Sequence, residues 1–135
     1  MSSTNPTSLP IASQEDIVVV RQAVRKTAVD AGLTLVDQTK LVTAASELAR
    51  NALVYGGGGS VSIEHVTEPA RKGIRLTFID QGPGIPDIEK ALKDGYSTGT
   101  GLGLGLGGAK RLSNDFAIWS EPGQGTRITI ARWKA

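Results

Sequence analysis

Apolar residues recur at helical spacing twice in the first 55 positions, and beyond residue 59 they alternate. In the first stretch Ile17, Val20, Val24 and Ala28 fall on one face. Ser13-Gln-Glu-Asp16 reads as the capping box that opens this helix, and Gly32 closes it. Thr34-Leu-Val-Asp37 repeats the opening signal. The helix that follows runs to about residue 55, with Leu41, Ala44, Ala45, Leu48, Ala52 and Tyr55 on its apolar side and Gly56 to stop it. Alternation over 60–66 and 74–80, around Pro69-Ala-Arg-Lys-Gly73, predicts a hairpin. Asp80-Gln-Gly-Pro-Gly-Ile-Pro86 fits neither period, and Pro86 is suited to open a short helix to about residue 93. A helix to about residue 114 comes next. A second hairpin, 116–120 and 126–133, closes the chain around Glu121-Pro-Gly-Gln-Gly125.

This order predicts an α+β domain, a two-layer α/β sandwich in which a mixed, mostly antiparallel sheet is covered on one face by helices. Residues 1–12, rich in Ser, Thr, Pro and Asn, read as a flexible N-terminal segment with room for a short strand near its end. Residues 13–135 form the domain. Trp119 and Trp133 are out of phase with Phe116, Ile118, Ile128 and Ile130. If the isoleucines face the helices, both tryptophans lie on the other face, either as a partner surface or beneath the N-terminal segment.

Composition narrows the chemistry. The chain has 135 residues, 39% hydrophobic but only 4% aromatic, so its core is mainly aliphatic. A net charge of +2 with interspersed signs lacks the basic patch of a nucleic-acid binder. Without cysteine there is no disulfide, thiol catalysis or Cys-based zinc site. The one histidine, His65, reads as an ordinary hairpin residue. No apolar run is long enough to cross a membrane and no signal peptide is evident, which predicts a cytoplasmic protein.

The glycine-rich run 94–111, DGYSTGTGLGLGLGGAKR, is the strongest chemical signal. Glycine at such density permits close backbone approach, and a loop of this kind leading into a helix offers N–H groups to phosphate. A plain linker would not alternate Leu102, Leu104 and Leu106 with glycine. Gly103, Gly105 and Gly108 satisfy G-x-G-x-x-G, but that fingerprint belongs to a parallel βαβ unit, and here a hairpin follows. No Walker P-loop occurs. Upstream, Glu47 and Asn51 share a helix face about 6 Å apart. The Asn51 amide oxygen suits Mg²⁺, and the Glu47 carboxylate suits a proton acceptor, although such a pair is also compatible with a merely solvated surface. Asp80 ends a strand beside Gly82-Pro-Gly84, where a carboxylate can accept from an exocyclic amine or simply shape a turn.

Taken in order, Glu-x-x-x-Asn on a helix, Asp-x-Gly-x-Gly after a strand, a glycine-rich lid before a helix, and Gly-x-Gly-Thr126 in a final hairpin resemble the GHKL (Bergerat-fold) ATP-binding domain. The resemblance covers about residues 15 to 133. It implies the GHKL fold, with ATP and Mg²⁺ as cofactors. Asn51 would then hold Mg²⁺, and Asp80 would read the adenine amine with support from Thr126 through water. Gly82 and Gly84 would give the nucleotide clearance. Gly101, Gly103 and Gly105 would form the lid, with Leu102, Leu104 and Leu106 beside them and N–H groups from Leu104 to Gly107 near the phosphates, and Thr98 would either touch phosphate or shape the turn. Glu47 would be the base facing the acceptor, with Arg50 beside it at the phosphate or the acceptor.

Within that family, SELARNALVYGG, DQGPGIPDI and the lid look like the serine/threonine switch kinases of stressosome and anti-sigma-factor partner-switching systems. That branch implies phosphoryl transfer to a Ser or Thr of STAS-domain proteins (stressosome scaffold and antagonist). It also implies activation of a PP2C-type phosphatase on release. The competing expectation is a nucleotide-gated anti-sigma factor whose main act is to bind. Run 49–51, Ala-Arg-Asn, favours the kinase branch.

Overall fold

The computed structural model describes residues 2–3, 6–85, 88, 92 and 105–134. The elements in chain order are β1 (Ser2–Ser3), β2 (Thr7–Ile11), α1 (Gln14–Asp30), α2 (Leu35–Val54), β3 (Gly59–Glu68), β4 (Arg71–Asp80), α3 (Gly105–Arg111), β5 (Asp115–Glu121) and β6 (Gly125–Trp133). Both helix openings follow the capping signals. The Ser13 hydroxyl accepts from the Asp16 N–H, and the Thr34 hydroxyl accepts from the Asp37 N–H. At the end of α1 the Gly32 N–H reaches the Val29 carbonyl and the Leu33 N–H reaches that of Ala28, the paired bonds of a Schellman stop.

The sheet has the order β1-β3-β4-β6-β5, and β2 also pairs with β3. Each pairing among the described residues is antiparallel, so the expected mixed sheet is corrected to an antiparallel one. The strand expected near the end of segment 1–12 is β2, which lies on β3 with Ile11 opposite Gly59. Ile11 is fully buried, so part of this segment belongs to the core.

One sheet face, built from Val61, Ile63, Ile74, Leu76, Phe78, Ile128 and Ile130, packs under the helices. Against it lie Ile17, Val20, Val24 and Ala28 of α1, and Leu41, Ala44, Ala45, Leu48 and Ala52 of α2. Tyr55 departs from expectation: it is 42% exposed as the cap residue of α2, past the edge of the buried stripe. The third helix also differs. It begins within the glycine run and ends at Arg111 rather than near residue 114. Gly105, Leu106, Gly107, Gly108 and Ala109 are buried. They pack on α2, whose buried side is largely alanine, so that small side chains on both helices permit a close approach. The helix expected over 86–93 lies mostly outside the described residues.

The opposite sheet face is polar and internally neutralised at one end. Arg75 Nε meets Glu64 Oε1 at 2.7 Å, and Arg71 Nε meets Glu68 Oε1 at 2.9 Å. The Arg71 guanidinium lies 3.7 Å above the Trp133 ring, whose Nε1–H donates to Asp115 Oδ2. Trp119 is 44% exposed near Arg127. Both tryptophans therefore lie on the outer face, and the N-terminal segment extends the sheet instead of covering them. A cavity of about 270 Å³ opens on this face among Glu68, Arg71, Arg75, Asp115 and Trp133, and contains none of the candidate site residues. Among the described residues no helix is long and apolar enough to cross a membrane.

Candidate functional site

The candidate residues gather at one end of the sheet, where α2 finishes. Strand register sets two of them in a row with Ser120 on the helix-covered face: Ser120 pairs with Thr126, and Thr126 pairs with Asp80. Asp80 continues to Gly59 on β3. The helix end is brought to this row by glycine. A Cβ placed on Gly56 would sit 2.6 Å from the Asp80 Cβ, and one on Gly82 would sit 2.6 Å from the Gly56 Cα. Neither distance is compatible with a side chain, so the two backbones touch and tie the end of α2 to the loop after β4. Gly84, at φ +82°, lies against the Glu121 carbonyl in the same manner. What excludes a side chain at Gly82 and Gly84 is thus the protein itself.

Asp80 is half-buried. Its Oδ1 accepts from the Gly82 N–H at 2.9 Å. Burial raises its carboxyl above the ordinary aspartate range, while the backbone amides of Gly82 and Thr126 oppose that rise. Among the described residues no cation compensates it. Thr126 is buried, and its hydroxyl lies 2.9 Å from Ser120 Oγ. Ser120 also accepts from the Ile85 N–H at 2.7 Å and donates to the Gly125 carbonyl at 3.0 Å. A second tie, from the Gly123 N–H to the Pro83 carbonyl, fixes the same loop. Sequence reasoning missed both Gly56 and Ser120.

On α2, Glu47 is buried although it is charged, and among the described residues it has no hydrogen-bond or ion-pair partner. Arg50 and Asn51 are half-buried one turn further on. The Asn51 carbonyl accepts from the N–H groups of Tyr55 and Gly56, so the residue is anchored at the helix end with its amide side chain uncommitted. No cluster of three acidic, histidine or cysteine side chains suited to a metal occurs among the described residues. A lone amide oxygen fits an ion that brings most of its own oxygen ligands, as Mg²⁺ on phosphates does, and does not fit a protein-caged metal.

The structure therefore ties Gly56, just past α2, to Asp80 and Gly82, sets Thr126 beside Asp80 and Gly84 against Glu121, and carries Glu47, Arg50 and Asn51 on the C-terminal half of the same helix. Gly105 and Leu106 are placed in α3 and buried, Leu106 in the core. The helix thus already includes these two positions of the expected lid. Thr98, Gly101, Leu102, Gly103 and Leu104 lie outside the described residues.

Comparison with known proteins agrees with the fold. The model of the "histidine kinase-, DNA gyrase B-, and HSP90-like ATPase" family matches residues 36–135. The chain is 47% identical over 123 residues to the serine/threonine-protein kinase RsbT of Bacillus subtilis (strain 168), covering 91% of this chain and 92% of that one. It is 32% identical over 106 residues to an anti-sigma F factor of Bacillus licheniformis, covering 73% and 71%. Among solved structures, the RsbU and RsbW domains of a Mycobacterium tuberculosis protein superpose with a TM-score of 0.66 at 22% identity, over 96% of this chain and 32% of that one. A mycobacterial sensor histidine kinase, MprB, gives 0.57 at 21% identity, over 95% and 97%. These two likenesses concern the fold.

Proposed function

The chain belongs to the histidine kinase-, DNA gyrase B-, and HSP90-like ATPase family, and on that premise we propose that it is a protein-serine/threonine kinase of a bacterial partner switch. It transfers the γ-phosphate of ATP to a Ser or Thr of a STAS-domain protein in the cytoplasm. Extensive identity to a protein named as a serine/threonine kinase supports the reaction class. The observation that carries the reading is Glu47, a mostly enclosed residue without a hydrogen-bond or ion-pair partner among the described residues, one turn before Asn51 on the helix whose following glycine, Gly56, touches Asp80. A carboxylate that spends none of its lone pairs on the described protein groups is free to accept the proton of an incoming hydroxyl.

In this reading Asp80 accepts from the adenine amine, Thr126 supports it through water, and Asn51 offers its amide oxygen to Mg²⁺. Magnesium supplies charge neutralisation at the phosphates when bound. Phosphoryl transfer relies on positioning and electrostatic stabilisation, so the protein's own tasks are few. Glu47 accepts the proton of the incoming hydroxyl, and Arg50 faces phosphate or acceptor. A second role belongs to the same proposal: once released from its STAS partner, the protein activates a PP2C-type phosphatase.

The test is intact-mass spectrometry of a STAS-domain partner incubated with this protein and Mg·ATP. Wild type should add a single phosphate, and Glu47→Gln should slow transfer by about 10²–10⁴-fold while still binding ATP. The likeness to an anti-sigma F factor favours a second reading, in which ATP gates a grip on a sigma factor. Under that reading no phosphate is added, and partner affinity differs between the ATP and ADP states of both variants.

A further inference from the structure

Ser120 lies outside each motif noted in the sequence, yet three groups from two different segments meet at its hydroxyl. These are the Ile85 N–H, the Gly125 carbonyl and the Thr126 hydroxyl, at 2.7, 3.0 and 2.9 Å. A hydroxyl has one proton and two lone pairs. The Ile85 N–H can only donate, so it occupies one lone pair. The Gly125 carbonyl can only accept, so it takes the Ser120 proton. One lone pair then remains for Thr126, and the direction of that last bond follows: Thr126 donates and Ser120 accepts. The Thr126 proton is thereby committed within the protein, and its free lone pairs are what it shows to the rest of the site. Asp80, its cross-strand neighbour, presents carboxylate oxygens.

We propose that Ser120 is a positioning residue for nucleotide choice. By fixing the Thr126 hydroxyl as an acceptor beside Asp80, it leaves a pocket wall of acceptors that favours a purine with a 6-amine over one with a 6-carbonyl. The proposal rests on the reading in which Asp80 faces the base. The chemistry at position 6 is simple: an exocyclic amine brings protons to an acceptor wall, whereas a carbonyl presents only lone pairs to it there. Without Ser120, the Thr126 hydroxyl is free to turn and donate, and the penalty against the carbonyl falls. The Ile85 N–H loses its partner as well, so a loss of loop order is the competing explanation that the experiment must separate.

Inosine triphosphate replaces the 6-amine of ATP with a carbonyl, gains a proton at N1, and keeps the same sugar and phosphates. Affinities for Mg·ATP and Mg·ITP are measured by calorimetry for wild type, Ser120→Ala, Ser120→Thr and Ser120→Val. Wild type should prefer ATP, and Ser120→Ala should shrink the ATP/ITP ratio about three- to tenfold. The near-isosteric pair Ser120→Thr and Ser120→Val, alike in shape and differing in the hydroxyl, should separate in the same direction, with the threonine retaining the preference. In a Thr126→Val background, Ser120→Ala should leave the ratio unchanged. Equal weakening of both nucleotides, with the ratio intact, would show a loop-ordering role alone and overturn the proposal. If wild type does not distinguish ATP from ITP, the assignment of Asp80 to the base fails and this inference fails with it.

Discussion

Asp37 and Asp80 lie at opposite ends of α2, one in its first turn and one on the strand end against Gly56, and are held in opposite ways. Asp37, in the first turn of α2, receives Arg132 Nη2 at 2.7 Å, and that hydrogen-bonded guanidinium holds its carboxyl below the ordinary range. Arg132 also donates to the Leu112 carbonyl just past α3, so one side chain of β6 holds the start of one helix and the end of another. Asp80 receives backbone amides and, among the described residues, no cation, and burial dominates its ionisation. The contrast teaches how a fold divides its carboxylates. One whose charge is answered by an internal arginine is spent on architecture, and one left with amides alone is available to a ligand. Glu47, without a partner among the described residues, extends the second class.

The largest effect expected from this contrast is on stability at the Asp37 end. Asp37→Ala leaves the Arg132 guanidinium 13% exposed and without its carboxylate. Its Nε is already buried without a hydrogen-bond partner among the described residues. Breaking a fully buried pair costs about 3–5 kcal/mol. Discounted for the remaining solvent contact, about 2–3 kcal/mol should appear in urea denaturation. ATP affinity of the folded protein should stay within about twofold, since nothing at that end is assigned to nucleotide. A large loss of affinity without loss of stability would erase the division between the two ends.

Asp80→Asn should do the reverse. Removing a charged acceptor from an amine costs about 1.5–3 kcal/mol of binding, or roughly 10- to 150-fold in ATP affinity. Stability at neutral pH should hold or rise, because the ionised carboxylate is penalised by burial in the folded state. Calorimetric titration and thermal melting on one sample read both. A destabilised variant with unchanged ATP affinity would place Asp80 with Asp37 as architecture.

The elements that were legible in sequence carry their signals locally. The two capping boxes, the single apolar face of α1 and the turn at Glu121-Pro-Gly-Gln-Gly125 each lie within a few residues of the structure they specify. The start of α3 was not legible. Each glycine costs about 1 kcal/mol relative to alanine in a helix, so local propensity argues against one there. Packing of Gly105, Gly107 and Gly108 on the alanine side of α2 outweighs it. Ser120 was hidden for another reason. Its role depends on standing opposite Thr126, and that register is set by where the β5–β6 turn begins. Gly56 read as a helix stop because its contacts with Asp80 and Gly82 exist only after β4 has folded against α2. The Arg132–Asp37 pair joins positions 95 residues apart, a separation that no local pattern encodes.

The smallest effect, and the one that tests both carboxylates in a single experiment, is their response to acid. The folded-state pKa of Asp37 is lowered, so its contribution to stability is present above its unfolded value of 3.8 and is lost as pH falls through the folded value beneath it. That of Asp80 is raised, so its neutral form is the favoured one, and its contribution is full below 3.8 and lost as pH rises through the folded value above it. Asp80 thus takes up a proton earlier than an ordinary aspartate as the solution is acidified, and with that proton it ceases to be a pure acceptor. ATP and purine riboside triphosphate differ only in the 6-amine, so the ratio of their affinities cancels the ionisation of the phosphates. Measured from pH 7 downward, this ratio should decline while the pH is still above 3.8, with the fold intact because the Asp37–Arg132 pair is still formed. In Asp80→Asn the ratio should be flat. A decline that persists in Asp80→Asn would assign the titrating group to another residue, and a flat wild-type ratio would mean that Asp80 does not meet the amine.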